Sequence, residues 1–325
     1  MNKIYFKTGI VGIICLLSFT TVPVSCSSDD DGSESTEQPT DGRKLRQLTI
    51  AEVPITRATL TDNTSSLSAA WSAGDKATYF NLTSHTEDDL VWDFGTLSAS
   101  SANATSNFTG TVRCKTGDQI ALFYPATYNS ESTGPVTTSG TNRGKFTIDL
   151  SGQKGTLNDI AANYHYVYGV GDVTATSERM GTETASATIS SMKSLLAVCK
   201  FTFNDGSNTI PVKRLNIGYA DNDPTQGYSE SGYPLTGTVN PFKKESGITT
   251  IVPIEDISVT ADSPSADPLT FDFGNGTSDV VYAALFPVSG QLFHFTVTND
   301  ADTYTGTATA TLKAGKFYNV NLKLN

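Results

Sequence analysis

The sequence predicts an all-β protein of two sandwich domains in tandem, and three observations carry that expectation. Apolar and polar residues alternate with a period of two over most of the chain. Thr, Ser and Gly separate short runs, and no segment sustains a long 3.6-residue period. The roughly 285 residues beyond the N-terminal tether exceed one ordinary domain. Many short strands between turns describe a sandwich.

The first element is not a strand. Lys3 and Lys7 open a short apolar run from Gly9 to Phe19, below the about 20 residues a spanning helix needs. A basic start, a short apolar centre and small residues at its end describe a secretory signal over residues 1–25. Cys26 follows where such a signal is cut. The arrangement resembles a lipoprotein signal whose new N-terminal cysteine carries the lipid, with Pro23 standing where Leu or Val is preferred. Cys26 is read as the attachment point, because several acyl chains at about 0.8 kcal/mol per buried methylene anchor stably. Ser27 to Asp41 has no apolar residue to bury and reads as a solvated tether. Its "SSDDD" resembles the acidic surface-export signal of Bacteroidota lipoproteins.

Charge narrows the partners. The chain has 22 basic and 33 acidic residues, and loss of Lys3 and Lys7 with the signal leaves 20 against 33, a net −13. That balance argues against nucleic acid, whose phosphates need Lys and Arg, and against peripheral attachment to an anionic membrane.

The strands follow in order. "QLTIAEVPI" (Gln47 to Ile55) is apolar on both faces, as a strand buried inside a sandwich would be. Phe108, Val112 and Cys114 share one face of the next clear strand, with Thr109, Thr111, Arg113 and Lys115 opposite. "IALFYPATY" is a short strand ended by Pro125, and Leu157, Ile160, Ala161 and Tyr164 are spaced for one or two helical turns. Leu195, Ala197, Cys199, Phe201 and Phe203 form a second apolar face. "VVYAALFPVSGQLFHFTVTND" reads as two strands joined in a hairpin at Pro287–Gly290, with His294 on a solvated face. Tyr318, Val320, Leu322 and Leu324 alternate with Phe317, Asn319, Asn321 and Lys323. Cys114 and Cys199 are expected as buried, unpaired core thiols.

An internal echo supports two similar domains. "LVWDFG" (Leu90 to Gly95) recurs as "LTFDFG" (Leu269 to Gly274), and "ALFYPA" (Ala121 to Ala126) as "ALFPVS" (Ala284 to Ser289). The polar stretch Asp172 to Thr188 lies between the copies, which places the domains at 58–187 and 188–325.

Catalytic constellations are scarce. His85, His165 and His294 are the only histidines, and no H-E-x-x-H, G-x-S-x-G, P-loop or paired-cysteine spacing is present. "DNDPTQG" (Asp221 to Gly227) starts like a calcium loop but fails its glycine and glutamate positions. A glycosidase needs only two carboxylates, and no pair stands out. Trp71 and Trp92 are too few to advertise a sugar platform. No catalytic residue, metal site or cofactor is expected.

Taken in order, the motifs resemble the Bacteroidales fimbrillins, or type V pilins, in their Mfa-like branch. "ITRATL" (Ile55 to Leu60) is similar to the Thr-Arg-Ala site near the start of the mature pilin, and "WSAGDKATYF" (Trp71 to Phe80) to its W-x-x-G-D strand. "FTGTV" and "ALFYPATY" follow in the family's order. "ISSMKSLLAVCKFTF" (Ile189 to Phe203) resembles the segment that opens the second domain, with Ser190 or Ser191 where His is frequent. "LKAGKFYNVNLKL" (Leu312 to Leu324) resembles the closing strand. The resemblance implies two transthyretin-like β-sandwiches and a surface fimbria at the outer membrane. It also implies an arginine-specific cut at Arg57, with Arg46 and Arg43 as alternatives, so that residues 26–57 hold the tether and a removable first strand. Other fimbrial subunits are then partners through donor-strand exchange, and a host or bacterial surface ligand is a further one. Taken alone, Gln47 to Arg57 is an ordinary first strand followed by an arginine. After Arg57 the chain keeps 16 basic and 26 acidic residues, a net −10. The rival reading is a surface glycan-binding lipoprotein that never polymerises, and a hydrolase comes third.

Overall fold

The computed structural model describes residues 42–54, 59–62, 67–84, 94–126, 145–223, 227–245 and 248–325. Strand β1 (Lys44–Pro54) comes first, followed by a short hairpin of β2 (Thr59–Asp62) and β3 (Leu67–Ala70). Then come β4 (Lys76–Asn81), β5 (Phe94–Ala99), β6 (Thr105–Cys114), β7 (Gln119–Tyr124) and β8 (Phe146–Asp149). After one helical turn, α1 (Leu157–Asp159), and a π-type turn over Ile160–Tyr164, the chain forms β9 (Val167–Arg179), β10 (Thr182–Thr188) and β11 (Lys193–Ser194). Thr156 caps α1 by accepting the Asp159 N–H at 3.2 Å. Ile160 and Ala161 are buried, as their helical spacing requires.

Among the described residues, seven of these strands close a ring in the order β10-β1-β6-β5-β4-β7-β9, with β9 pairing back onto β10. The length of β9 makes closure possible. Residues 167–172 pair with β7, and residues 172–179 pair with β10. Closure matters because an open sheet would leave two rows of unpaired N–H and C=O groups. Leu48, Ile50, Tyr79, Phe108, Val112 and Leu122 fill the interior, all buried. β4 and β7 are buried on both faces: Ala77, Tyr79, Ile120 and Leu122 face the ring, while Phe80, Ala121 and Phe123 join a second core. Two buried faces explain the unbroken apolar run "ALFY".

The second core is built mainly from the C-terminal half. Its strands are β12 (Ala197–Asn204), β13 (Arg214–Asp223), β14 (Gly227–Ser231), β15 (Thr236–Val239), β16 (Phe242–Glu245) and β17 (Ile248–Ile251). The remainder are β18 (Val259–Ala261), β19 (Leu269–Asp272), β20 (Val281–Leu285), β21 (Val288–Thr298), β22 (Thr303–Leu312) and β23 (Phe317–Lys323). One sheet runs β20-β12-β23, and another runs β14-β13-β21-β22 with β19 also on β13. Phe201, Phe203, Phe293 and Phe295 pack together, with Phe201 and Phe295 ring centroids 5.5 Å apart. A third sheet, β18-β15-β8, draws a strand of the first half onto the second through Thr236–Asp149 to Val239–Phe146.

Local alternation transfers well. Phe108, Val112 and Cys114 are buried while Thr111 is exposed, and Asn319, Asn321 and Lys323 are exposed between half-buried Tyr318, Val320 and Leu322. Cys114 and Cys199 are both buried and in no disulfide, one in each core. Burial pushes the Cys199 thiol up to about 12, so it stays protonated and inert.

Two expectations are corrected. The strands flanking Pro287–Gly290 do not form a hairpin: β20 pairs with β12, whereas β21 pairs with β13 and β22. The chain therefore crosses between sheets at Phe286–Pro287, and the real hairpin is β21–β22, where Asn299 Oδ1 accepts from the Ala301 and Asp302 amides. His294 is buried, not solvated. It does lie on the face opposite Phe293 and Phe295, but β21 is a central strand, and Gly218 of β13 and Thr307 of β22 flank it.

Candidate functional site: a strand and its slot

β1 sits between β6 and β10, antiparallel to the first and parallel to the second. Gln47–Ala51 pair with Thr184–Thr188 on one side while Lys44–Ile50 pair with Cys114–Phe108 on the other. Both edges of the strand are thus satisfied by segments far away in sequence. Its faces differ from the expectation of burial on both. Arg46, Leu48, Ile50 and Val53 are buried, whereas Gln47, Ala51 and Glu52 are exposed. Pairing on both edges, not burial of both faces, holds this strand.

A bulge sets the last inward residue. Between Ile50 and Val53 β1 carries one residue more than β6, which spans Phe108 to Ser106. Strict alternation would send Glu52 into the core. Glu52 instead adopts φ +49°, donates its N–H to Asn107 Oδ1 at 2.9 Å, and Val53 turns inward. The apolar spacing 48, 50, 53 was the sequence signal for this bulge.

Trp71 latches that end. Its indole Nε1 donates to the Val53 carbonyl at 3.1 Å, and the ring packs edge-on against Phe108 (4.8 Å) and Tyr124 (5.2 Å). The W-x-x-G-D motif positions it: Gly74 takes φ +86°, and Asp75 accepts the Ser72 N–H at 2.7 Å. Burial raises the Asp75 carboxyl above its ordinary range. In "FTGTV", Gly110 faces Leu48 across the β1–β6 pair, and a Cβ there would lie 2.7 Å from the Leu97 side chain.

The other end of β1 is held by charge. Arg43 donates from Nε and Nη2 to both Asp118 oxygens at 2.7 Å, a bidentate pair that is nearly fully buried. Asp118 also accepts from Asn81 Nδ2 (2.9 Å) and the Lys115 N–H (3.0 Å). Lys44 bridges Glu178 (3.1 Å) and Glu183 (2.6 Å). Arg46 pairs with Glu183 and donates Nε to the Cys114 carbonyl at 3.2 Å. Lys44, Glu178 and Arg46 hold the Glu183 carboxyl below its usual range, with Lys44 the largest cause, and the two glutamates raise Lys44.

The pH consequence follows from the signs. A carboxylate with a depressed folded pKa stabilises the fold above its ordinary value of 4.5 and loses that contribution as pH falls through the depressed value. The urea midpoint of the wild type is therefore expected to fall between about pH 5 and pH 3, and Glu183→Gln to show a shallower fall. Equal slopes would mean that β1 is not held by this contact.

Cys26 and Arg57 lie outside the described residues, as do the signal, the tether Ser27 to Asp41 and Trp92. Arg46 is mid-strand and buried, so a cut there requires β1 to leave its slot first. Trp71, Asp118, Glu178 and Glu183 were not singled out as site residues by the sequence. Among the described residues no cluster of three or more His, Cys, Asp or Glu could hold a metal ion.

No protein-family model and no curated protein matches the chain. Among solved structures it is similar to a candidate cell adhesion protein from Bacteroides ovatus, at 16% identity and TM-score 0.42, covering 87% of this chain and 95% of that one. It is also similar to a fimbrial protein from the same organism, at 14% identity and TM-score 0.35, where 86% of this chain spans about half (49%) of the other. A shaft pilin from Lactobacillus rhamnosus GG overlaps at 10% identity and TM-score 0.30, covering 86% and 98%. Overlaps this loose carry no argument about what the chain does. That has to come from β1 and its slot.

Proposed function

We propose that this chain is the surface-anchored precursor of a fimbrial subunit or adhesin without catalytic activity. It would be lipidated at Cys26, trimmed after Arg57, and assembled when a strand of another subunit replaces β1. The observation that carries this reading is the position of β1, an N-terminal strand paired on both edges and contributing Leu48, Ile50 and Val53 to the core. Removing such a strand leaves two unpaired edges and an apolar trough, which is a template for strand addition. The motif series around "ITRATL" supports trimming at Arg57. The division into tandem transthyretin-like domains at 58–187 and 188–325 rests on the sequence resemblance, since the second core also takes Phe80, Phe123 and Phe146 from the first half and the first core takes Ile189 and Met192 from the second. A net −10 after trimming keeps such a polymer soluble by like-charge repulsion and argues against nucleic-acid partners, while the lipid on Cys26 would hold the precursor at the outer membrane surface.

One experiment tests both ends. Full-length wild type and Cys26→Ser are fractionated, purified, and passed over a size-exclusion column before and after limited digestion with an arginine-specific protease. Wild type is expected in the membrane fraction and Cys26→Ser as soluble or unprocessed precursor. Intact protein should run as a monomer, and protein trimmed to Ala58–Asn325 as oligomers. Trimmed protein that stays folded and monomeric at high concentration would favour the non-polymerising glycan-binding alternative. Equal membrane partition of the two forms would remove Cys26 as the anchor.

A further inference from the structure

The slot has a chemistry beyond its apolar trough. We propose that the vacated slot is a receptor for an extended segment with a basic head: cations at the positions of Arg43, Lys44 and Arg46, followed by aliphatic side chains at 48, 50 and 53. This rests on the reading that β1 is removable, and it adds which strands can take its place.

The occupant now seated there shows what the slot requires. Trimming through Arg57 removes Arg43, Lys44 and Arg46 together, and leaves behind Asp118, Glu178 and Glu183. The Asp118 side chain is 1% exposed. Its other partners, Asn81 Nδ2 and the Lys115 N–H, are neutral donors. A buried carboxylate stripped of its cation is costly, so a neutral or acidic segment would fill the trough and still leave that cost in place. A segment with the basic head removes it.

The same charges choose direction and register. The acidic groups lie at one end of the slot and the Trp71 latch on the Val53 carbonyl lies at the other. A segment inserted backwards would place its cations beside Trp71, Phe108 and Tyr124, away from Asp118, Glu178 and Glu183, where the described carboxyl, Asp75, already accepts the Ser72 N–H. A slip of one residue would put the apolar set on the exposed face. Only a strand parallel to β10, antiparallel to β6 and starting at Asp118 meets all the contacts. Acidic groups therefore reject wrong segments as well as attract right ones, which is how specificity is built.

The test uses the full chain with residues 55–58 replaced by the recognition sequence of a site-specific protease, so that a single nick leaves both pieces in place. Labelled peptides spanning Gly42 to Pro54 then compete for the slot in mild denaturant. The peptide of natural sequence is expected to displace the resident strand. One carrying Arg43→Glu, Lys44→Glu and Arg46→Glu should bind at least about 30-fold more weakly. Glu178→Lys with Glu183→Lys in the receptor should narrow that gap. Reversed and natural peptides binding within about threefold of each other would overturn the charge selection while leaving strand exchange standing. Failure of the natural peptide to enter would overturn both.

Discussion

Replacing Ile50 with Asp is expected to cost the ring more than about 4 kcal/mol and to detach β1 without any cut. Ile50 is fully buried and packs in the interior core with Leu48, Val53 and Phe108. Truncating a buried Ile costs about 2–5 kcal/mol through lost burial and the cavity left behind. A carboxylate at the same place adds desolvation of a charge, and Ile50 faces an apolar interior. Domains hold only about 5–15 kcal/mol in total, so one such change consumes much of the stability of the ring. The backbone pairing cannot compensate, because β1 can form its ladder only when its inward face fits. The matching control is Gln47→Glu, a carboxylate on the exposed face of the same strand, expected within about 0.5 kcal/mol of wild type. Hydrogen exchange at the amides of β6 and β10 reads the result directly. Those amides should exchange quickly in Ile50→Asp and stay protected in Gln47→Glu. Similar protection in the two variants would show that β1 does not close the ring.

That pair of substitutions also marks what the sequence could reveal. A period of two assigns residues to opposite faces from neighbours alone, so the buried side of β6 and the half-buried side of β23 were legible. Which strand lies beside which was not. β10 lies more than a hundred residues beyond β1, and nothing in either segment encodes their register. The same limit explains Pro287. A turn residue ends a strand, but whether the next one folds back or crosses to another sheet depends on which core offers a partner. It explains His294 as well, because alternation gives a face without saying that both neighbouring strands will flank it. The charged end of the slot was hidden for a related reason. Asp118 and Glu183 are two of 33 acidic residues, and only folding brings them to Arg43, Lys44 and Arg46. Those arginines read as protease sites in the sequence, and the structure shows them as strand anchors too.

Asp118→Ala carries the other large effect, an expected loss of about 3–5 kcal/mol measured by urea unfolding. The figure does not mean that the ion pair contributes so much to folding. Taking two charges out of water is costly, and a buried pair is often no better than two apolar residues of the same volume. The penalty arises because alanine leaves the Arg43 guanidinium buried without the carboxylate that accepts two of its N–H groups at 2.7 Å. Asn81 Nδ2 and the Lys115 N–H lose an acceptor at the same time. A double-mutant cycle separates these contributions. Arg43→Met with Asp118→Ala removes both charges and should recover most of the loss, whereas Arg43→Met alone leaves the carboxylate buried and should be as damaging as Asp118→Ala. A cost below about 1 kcal/mol for either single change would place the pair among ordinary surface contacts. The chain would then hold β1 by its apolar face alone, and the strand would leave its slot as readily under any charge.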